Sequence, residues 1–104
     1  MFARLVQIEA TQGNLSRVIE TWNGKDVPSK RLSKGYQGAL LFTDSKTGKA
    51  ISITFWDSLE DASSDEQSSL HKSQLNFYKD LLKPGYTHEY LYVSAWDKTF
   101  LQRK

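Results

Sequence analysis

The chain has no cysteine, one methionine, two prolines and two histidines in 104 residues. Without cysteine there is no disulfide frame, no thiolate metal site and no cysteine nucleophile. His71 and His88 are too few for a three-histidine zinc site, and neither has a carboxylate at a recognised ligand spacing, so no metal is expected. No apolar run approaches the roughly 20 residues of a membrane-spanning helix, and residues 1–9 are too short and too charged for a signal peptide. The expected setting is the cytoplasm, with no membrane partner. Charge of one sign is also missing: 14 Lys and Arg against 12 Asp and Glu leave +2, which gives no support to a duplex-DNA binder built on phosphate contacts. A Ser-centred elbow, a phosphate-binding Gly loop and a dinucleotide fingerprint are absent too.

Aromatic residues make up 12% of the chain and fall inside periodic apolar segments, so it is not a disordered sequence. Its length suits a single domain, residues 1–104. Phe2–Glu9 reads as a first strand. Asn14 stands as N-cap before Leu15, Val18, Ile19 and Trp22, apolar at i, i+3, i+4 and i+7, and Asn23-Gly24 supplies a stop. Residues 25–34 read as a basic, Pro28-bearing connection with one short helical turn. Residues 36–43 and Lys49–Trp56 form a hairpin; pairing Asp44 with Lys49 sets Phe42 opposite Ile51, Leu40 opposite Ile53 and Gly38 opposite Phe55. The other hairpin face then holds Gln37, Ala39, Leu41, Ser52, Thr54 and Trp56.

Asp57 with Glu60 suggests a capping box for the next helix, whose stripe is Leu59, Ala62, Leu70, Phe77, Tyr78, Leu81 and Leu82. Its polar middle, residues 63–69, predicts a break or two shorter helices, and Lys83-Pro84-Gly85 ends it. Residues 87–96 are the last strand, before a polar tail over 97–104 that keeps Phe100 and Leu101.

The order β-α-β-β-α-β makes an α+β, ferredoxin-like fold: a four-stranded antiparallel sheet with its helices on one face. In the last strand His88, Tyr90, Tyr92, Ser94 and Trp96 point one way and Thr87, Glu89, Leu91, Val93 and Ala95 the other. Neither set reads as a wet surface. Helices cover one face only, so the other is an apolar patch larger than monomers usually expose, and a homodimer through the sheet is expected.

Residues 34–62, KGYQGALLFTDSKTGKAISITFWDSLEDA, resemble the antibiotic biosynthesis monooxygenase-like family of the dimeric α/β-barrel superfamily. The matching pieces are Gly35-Tyr36-Gln37-Gly38, the Thr47-Gly48-Lys49 turn, Trp56-Asp57-Ser58 and Glu60-Asp61-Ala62. The resemblance implies a dimeric α/β barrel with a pocket between sheet and helices in each protomer. It also implies cofactor-independent oxygenation of polyphenols or haem degradation as chemistries the scaffold hosts. Trp56 transfers best. Oxygenase members often carry an Asn near the end of strand three, where this chain has Ile53-Thr54-Phe55, and a His about nine residues after the Trp, where it has Asp65. Haem-degrading members need an Asn in strand one and a Trp–His pair on the second helix. Here strand one offers Gln7, and His71 has no Trp on its helix.

His71 is a candidate general base or haem ligand, although its polar neighbours, Lys72 among them, weigh toward an exposed helix position. His88 is expected to sit satisfied in a dimer interface. Trp56 offers an indole for stacking on an aromatic ligand, or plain core packing. Arg4 either binds an anionic group or pairs with Glu89 or another carboxylate, and pairing is favoured. Lys25, Lys30, Arg31 and Lys34 could gate an acidic ligand, but the stretch contains Asp26 and sits in a Pro-bearing loop, so a solvated connection is favoured. The acidic run Asp57, Glu60, Asp61, Asp65 and Glu66 suits a helix N-terminus. The string at 34–42 resembles an RNA-recognition signature but falls on the wrong strand, so no nucleic-acid partner is expected.

The function expected is a monooxygenase of a small phenol- or quinol-type aromatic, without cofactor. Trp56 and Arg4 would bind the substrate, and His71 or Tyr78 would take its proton. The alternative is a non-catalytic dimeric barrel that binds a small apolar ligand or serves a structural or stress-associated role; haem binding is a weaker third. An enclosed cavity of roughly 300 Å³ would favour an enzyme or binder, and one filled by Trp22, Trp56 and Phe77 a structural role.

Overall fold

The computed structural model describes residues 1–95; the expectations for Trp96, Phe100 and Leu101 lie outside the described residues. The chain forms β1 (Phe2–Glu9), α1 (Leu15–Thr21), a π-helical turn (Trp22–Asp26), α2 (Val27–Lys30), β2 (Tyr36–Asp44), β3 (Lys49–Trp56), α3 (Leu59–Gln67), α4 (Ser69–Asn76) and β4 (Thr87–Tyr92). The sheet order is β2-β3-β1-β4 and every pairing is antiparallel, which is the expected ferredoxin-like arrangement.

The hairpin follows the register read from its turn: Asp44 pairs with Lys49, Phe42 with Ile51, Leu40 with Ile53 and Gly38 with Phe55. One correction falls at its open end. A bulge between Tyr36 and Gly38 sets Tyr36, not Gln37, across from Trp56. Extruded in this way, exposed Gln37 donates to Asp57 Oδ1 at 2.7 Å, while the Tyr36 ring meets the Trp56 indole edge-on at 5.6 Å.

The first helical segment does not stop at Asn23-Gly24. The chain stays helical over residues 15–30 because the π turn absorbs both residues, and Gly24 never takes the left-handed conformation of a helix terminator. Pro28 sits in the first turn of α2, where a missing N–H costs little. Asn14 caps with its backbone only: its carbonyl accepts from Val18 N at 3.0 Å, and its side chain donates to Thr11 Oγ1 at 2.7 Å.

Ser58, one residue beyond Asp57, caps α3 by accepting from Asp61 N at 3.1 Å. The expected break occurs at Ser68, extended with ψ 155°, which caps α4 by accepting from His71 N at 3.0 Å. Helix α4 ends at Asn76, earlier than Lys83. Turns through Asp80, at φ 67°, lead instead to a bridge between Leu82 and Ala10. Strand β4 closes at Tyr92, short of its expected end.

Alternation along the strands sorts the sheet into two faces. Arg4, Val6, Ile8, Ser52, Thr54, Trp56, His88 and Tyr90 share the helix side. This corrects the interface expected for His88. Ala10, Val18 and Tyr78 form a buried cluster there, backed by Ile8, Leu15, Phe77, Leu81 and Leu82. The opposite face carries a row of Leu5, Ile53 and Leu40 across three strands, with Phe42 and Leu91 about half exposed.

Candidate functional site

Five elements converge beneath the covered face of the sheet. Strand β1 contributes Arg4, the π turn and α2 contribute Asp26 and Lys30, α3 contributes Asp65, and α4 contributes His71 and Gln74; all six are buried. Charged side chains are almost never fully buried unless paired, and these are. Asp65 is the hub: its Oδ2 accepts from Arg4 Nη2 at 2.9 Å and from Lys30 Nζ at 3.4 Å, and its Oδ1 from Ser33 Oγ at 3.3 Å. Arg4 also donates to the Ala62 carbonyl at 3.2 Å. Lys30 donates to Gln74 Oε1, and Gln74 in turn donates to Ser29 Oγ at 2.8 Å. Tyr78 donates its hydroxyl to Asp26 Oδ2 at 2.5 Å.

Arg4 therefore pairs with a carboxylate, as favoured, but the partner is Asp65 on α3. Glu89 is on the other face of the sheet, and its strand neighbour Leu5 marks that side. Lys30 corrects the solvated-connection reading, since it points inward and is 5% exposed. Asp65 does more than complement a helix end. His71 is likewise not an exposed helix residue: it is 8% exposed, with Nδ1 3.8 Å from Asp65 Oδ2 and no hydrogen-bond partner.

Burial sets the protonation states. It pushes the His71 imidazole down to about 4, and the nearby Lys30 and Arg4 cations push the same way against Asp65, so His71 is neutral at pH 7. Burial also lowers Lys30, against the pull of Asp26 and Asp65, and raises Asp26, against the Tyr78 hydrogen bond and Lys30. The Tyr78 hydroxyl is raised by burial and by the Asp26 carboxylate it serves, which keeps it protonated.

Arg4, Asp26, Lys30, His71, Gln74 and Tyr78 line one cavity of about 70 Å³, room for a few waters and well below the volume expected of a ligand site. Trp22 forms part of its wall and donates to Ser52 Oγ at 3.0 Å. Leu75, Tyr86 and His88 lie toward the outside; Leu75 and Tyr86 remain exposed. Trp56 is wholly buried, donates to Thr54 Oγ1 at 2.8 Å, and carries the Arg4 guanidinium over its ring at 5.1 Å. It supports the cavity from beneath. Phe77 belongs to the neighbouring apolar cluster, so two of the three aromatic residues expected as filling stand elsewhere. At the β4 side, Glu66 accepts from Tyr90 and stands 3.5 Å from His88 Nε2. No group of three or more His, Asp or Glu side chains among the described residues is placed to hold a metal ion.

Sequence reasoning missed Asp26, Lys30, Asp65 and Gln74, yet their spacing held a signal. Lys30 lies four residues after Asp26, which lies four after Trp22, continuing the inward stripe of half-buried Leu15, buried Val18 and half-buried Trp22. His71, Gln74 and Tyr78 repeat at i, i+3 and i+7 from the Ser68 cap.

No family model matches this chain, and no curated protein matches it in sequence. Solved structures do match. An antibiotic biosynthesis monooxygenase structure superposes with a TM-score of 0.72 at 14% identity, covering 91% of this chain and 100% of that one. A Bordetella bronchiseptica protein whose name places it among the antibiotic biosynthesis monooxygenases gives 0.80 at 10% identity, covering 90% and 97%. Rv0793 from Mycobacterium tuberculosis gives 0.70 at 13%, covering 91% and 96%. With its sheet order, its helices on one face and these superpositions over nearly the whole of each chain, this protein has the fold of the antibiotic biosynthesis monooxygenase structures.

Proposed function

We propose that this chain is a cofactor-independent monooxygenase of a small phenol- or quinol-type aromatic, acting as a homodimer joined through the open sheet face. One observation carries the chemistry: the buried His71 has an unpartnered Nδ1 and lines a cavity that also holds the Arg4 and Lys30 cations. In this reading His71 takes the proton of the substrate hydroxyl, and the two cations stabilise the anion left behind. The electron-rich anion gives one electron to O₂, and the radical pair couples to a peroxide at carbon. Loss of water then leaves a carbonyl. One oxygen atom enters the substrate and the other leaves as water, so a ring C–H becomes C=O, the hydroxyl carbon becomes the second C=O, and the phenol leaves as a quinone with no external reductant.

Tyr78, held protonated, serves by fixing Asp26, and Trp56 acts through Arg4. Leu75 and Tyr86, exposed at the outer side of the cavity, are the side chains that an entering aromatic ring has to displace. Homodimerisation is supported by the row of Leu5, Ile53 and Leu40 with Phe42 and Leu91, an apolar surface that monomers rarely expose. The cavity's small size favours a second reading, a non-catalytic dimeric barrel that takes a small apolar ligand or serves a structural role.

Oxygen uptake with an anthrone-type substrate and with hydroquinone tests the choice. The expected result is uptake without added cofactor that falls by about 100-fold or more in His71→Ala. Uptake unchanged in the variant removes His71 as base. Binding with no uptake leaves the second reading.

A further inference from the structure

Three buried polar atoms among the described residues lack a partner, Arg4 Nε, His71 Nδ1 and Asp26 Oδ1, and all three side chains line the same cavity. Buried polar groups are paired in the great majority of cases, so three orphans on one cavity mark what its occupant must supply. Arg4 and His71 act directly in the proposed oxygenation, whereas Asp26 enters it only as the group that Tyr78 fixes, with its Oδ1 unused.

Asp26 is 9% exposed and closes the π turn, a helical irregularity often found at functional sites. The Tyr78 hydroxyl anchors its Oδ2 at 2.5 Å. Its Oδ1 has only Lys30 Nζ at 3.8 Å, beyond hydrogen-bond reach. A carboxylate oxygen accepts, so its missing partner is a donor. Arg4 and Lys30, both lining the cavity, disfavour a cationic donor there. A neutral donor fits there, and on an aromatic ligand a hydroxyl is the simplest such group.

We propose that Asp26 is a specificity-determining residue whose Oδ1 accepts a hydrogen bond from a second hydroxyl of the ligand, so that dihydric phenols bind in preference to their methyl isosteres. The inference rests on the cavity being the substrate site, and it concerns binding, not turnover. A methyl group in place of that hydroxyl leaves the buried oxygen unpaired, which weakens binding on the order of 10- to 100-fold.

The test is anaerobic calorimetric titration with three matched pairs: catechol, resorcinol and hydroquinone against 2-, 3- and 4-methylphenol. The expected result is a 10- to 100-fold preference for the diol in at least one pair. In Asp26→Asn, checked for folding by circular dichroism, that preference shrinks severalfold. Asp26→Ser, smaller and uncharged, is the second variant and loses the preference as well. Equal binding within all three wild-type pairs, a preference for the methylphenols, binding by none of the six, or a diol preference untouched in both folded variants overturns the proposal. Oxygen uptake is recorded separately on the same samples. Diol preference without uptake removes the oxygenase reading and leaves Asp26 in its role.

Discussion

The Arg4 guanidinium stands over the Trp56 indole at 5.1 Å from the ring centroid while its Nη2 grips Asp65 at 2.9 Å, so one side chain joins the sheet floor to α3. Planar guanidinium suits both contacts, since it stacks on an aromatic face and meets a carboxylate in its own plane. Removing it takes the closest cation from a carboxylate that is 3% exposed and leaves it the longer contact with Lys30. Arg4→Met is therefore expected to lower unfolding free energy by about 3 kcal/mol. Lys30→Met costs less, because Asp65 keeps its shorter partner. Urea denaturation midpoints rank the two, and equal midpoints for Arg4→Met and wild type contradict the hub.

Acid should weaken the fold through His71. Its folded value of about 4 lies below the ordinary 6.5, so between those limits the unfolded chain binds more protons, and stability rises with pH across that window. Acidifying from pH 7 to 4.5 removes on the order of 2 kcal/mol by this route. In His71→Gln that share of the slope is absent. Urea midpoints at the two pH values read the difference, and an unchanged slope in the variant refutes the assignment.

At the centre of the open face, Ile53 has Leu5 on one side and Leu40 on the other. Ile53→Lys places a charge where two copies are expected to meet, and should convert a dimer into a folded monomer. Sedimentation at micromolar concentration checks both proteins. A wild-type monomer there dismisses the homodimer.

Gly35 has φ +80°, and a Cβ built on it falls 2.2 Å from Asp61 Oδ2. Gly35→Ala combines left-handed strain with that collision and is expected to cost about 1 to 3 kcal/mol. A melting temperature equal to wild type rules this out.

The hairpin was legible from its turn as far as Gly38, because a turn with a definite length and a period of two determine every pair once one is set; the bulge beyond Gly38 breaks that period and left no local sign. The break at Ser68 could also be read, because seven consecutive polar residues offer a helix nothing to bury. Lys30 and His71 were obscured for the opposite reason. Their neighbours in sequence are polar, and a helix faces inward at three- and four-residue intervals, so adjacent residues carry no information about direction. Leu59 and Leu70, which fit the expected stripe, are over 40% exposed. The break at Ser68 shifts the phase, and α4 turns His71 and Gln74 inward instead. No local pattern reveals that Arg4 and Asp65, 61 positions apart, neutralise each other.

The π turn has a geometric corollary. An α-helix rotates about 100° per residue, and a wider loop of backbone accommodates one surplus residue per turn. Deleting a single amino acid between Trp22 and Asp26 would regularise the coil and swing whatever follows by roughly that angle. Pro28 and Lys30 would rotate together, and the ammonium group would leave its carboxylates for water. The inward aim of two charges thus hangs on an insertion's worth of chain length, a dependence that side-chain chemistry alone does not disclose.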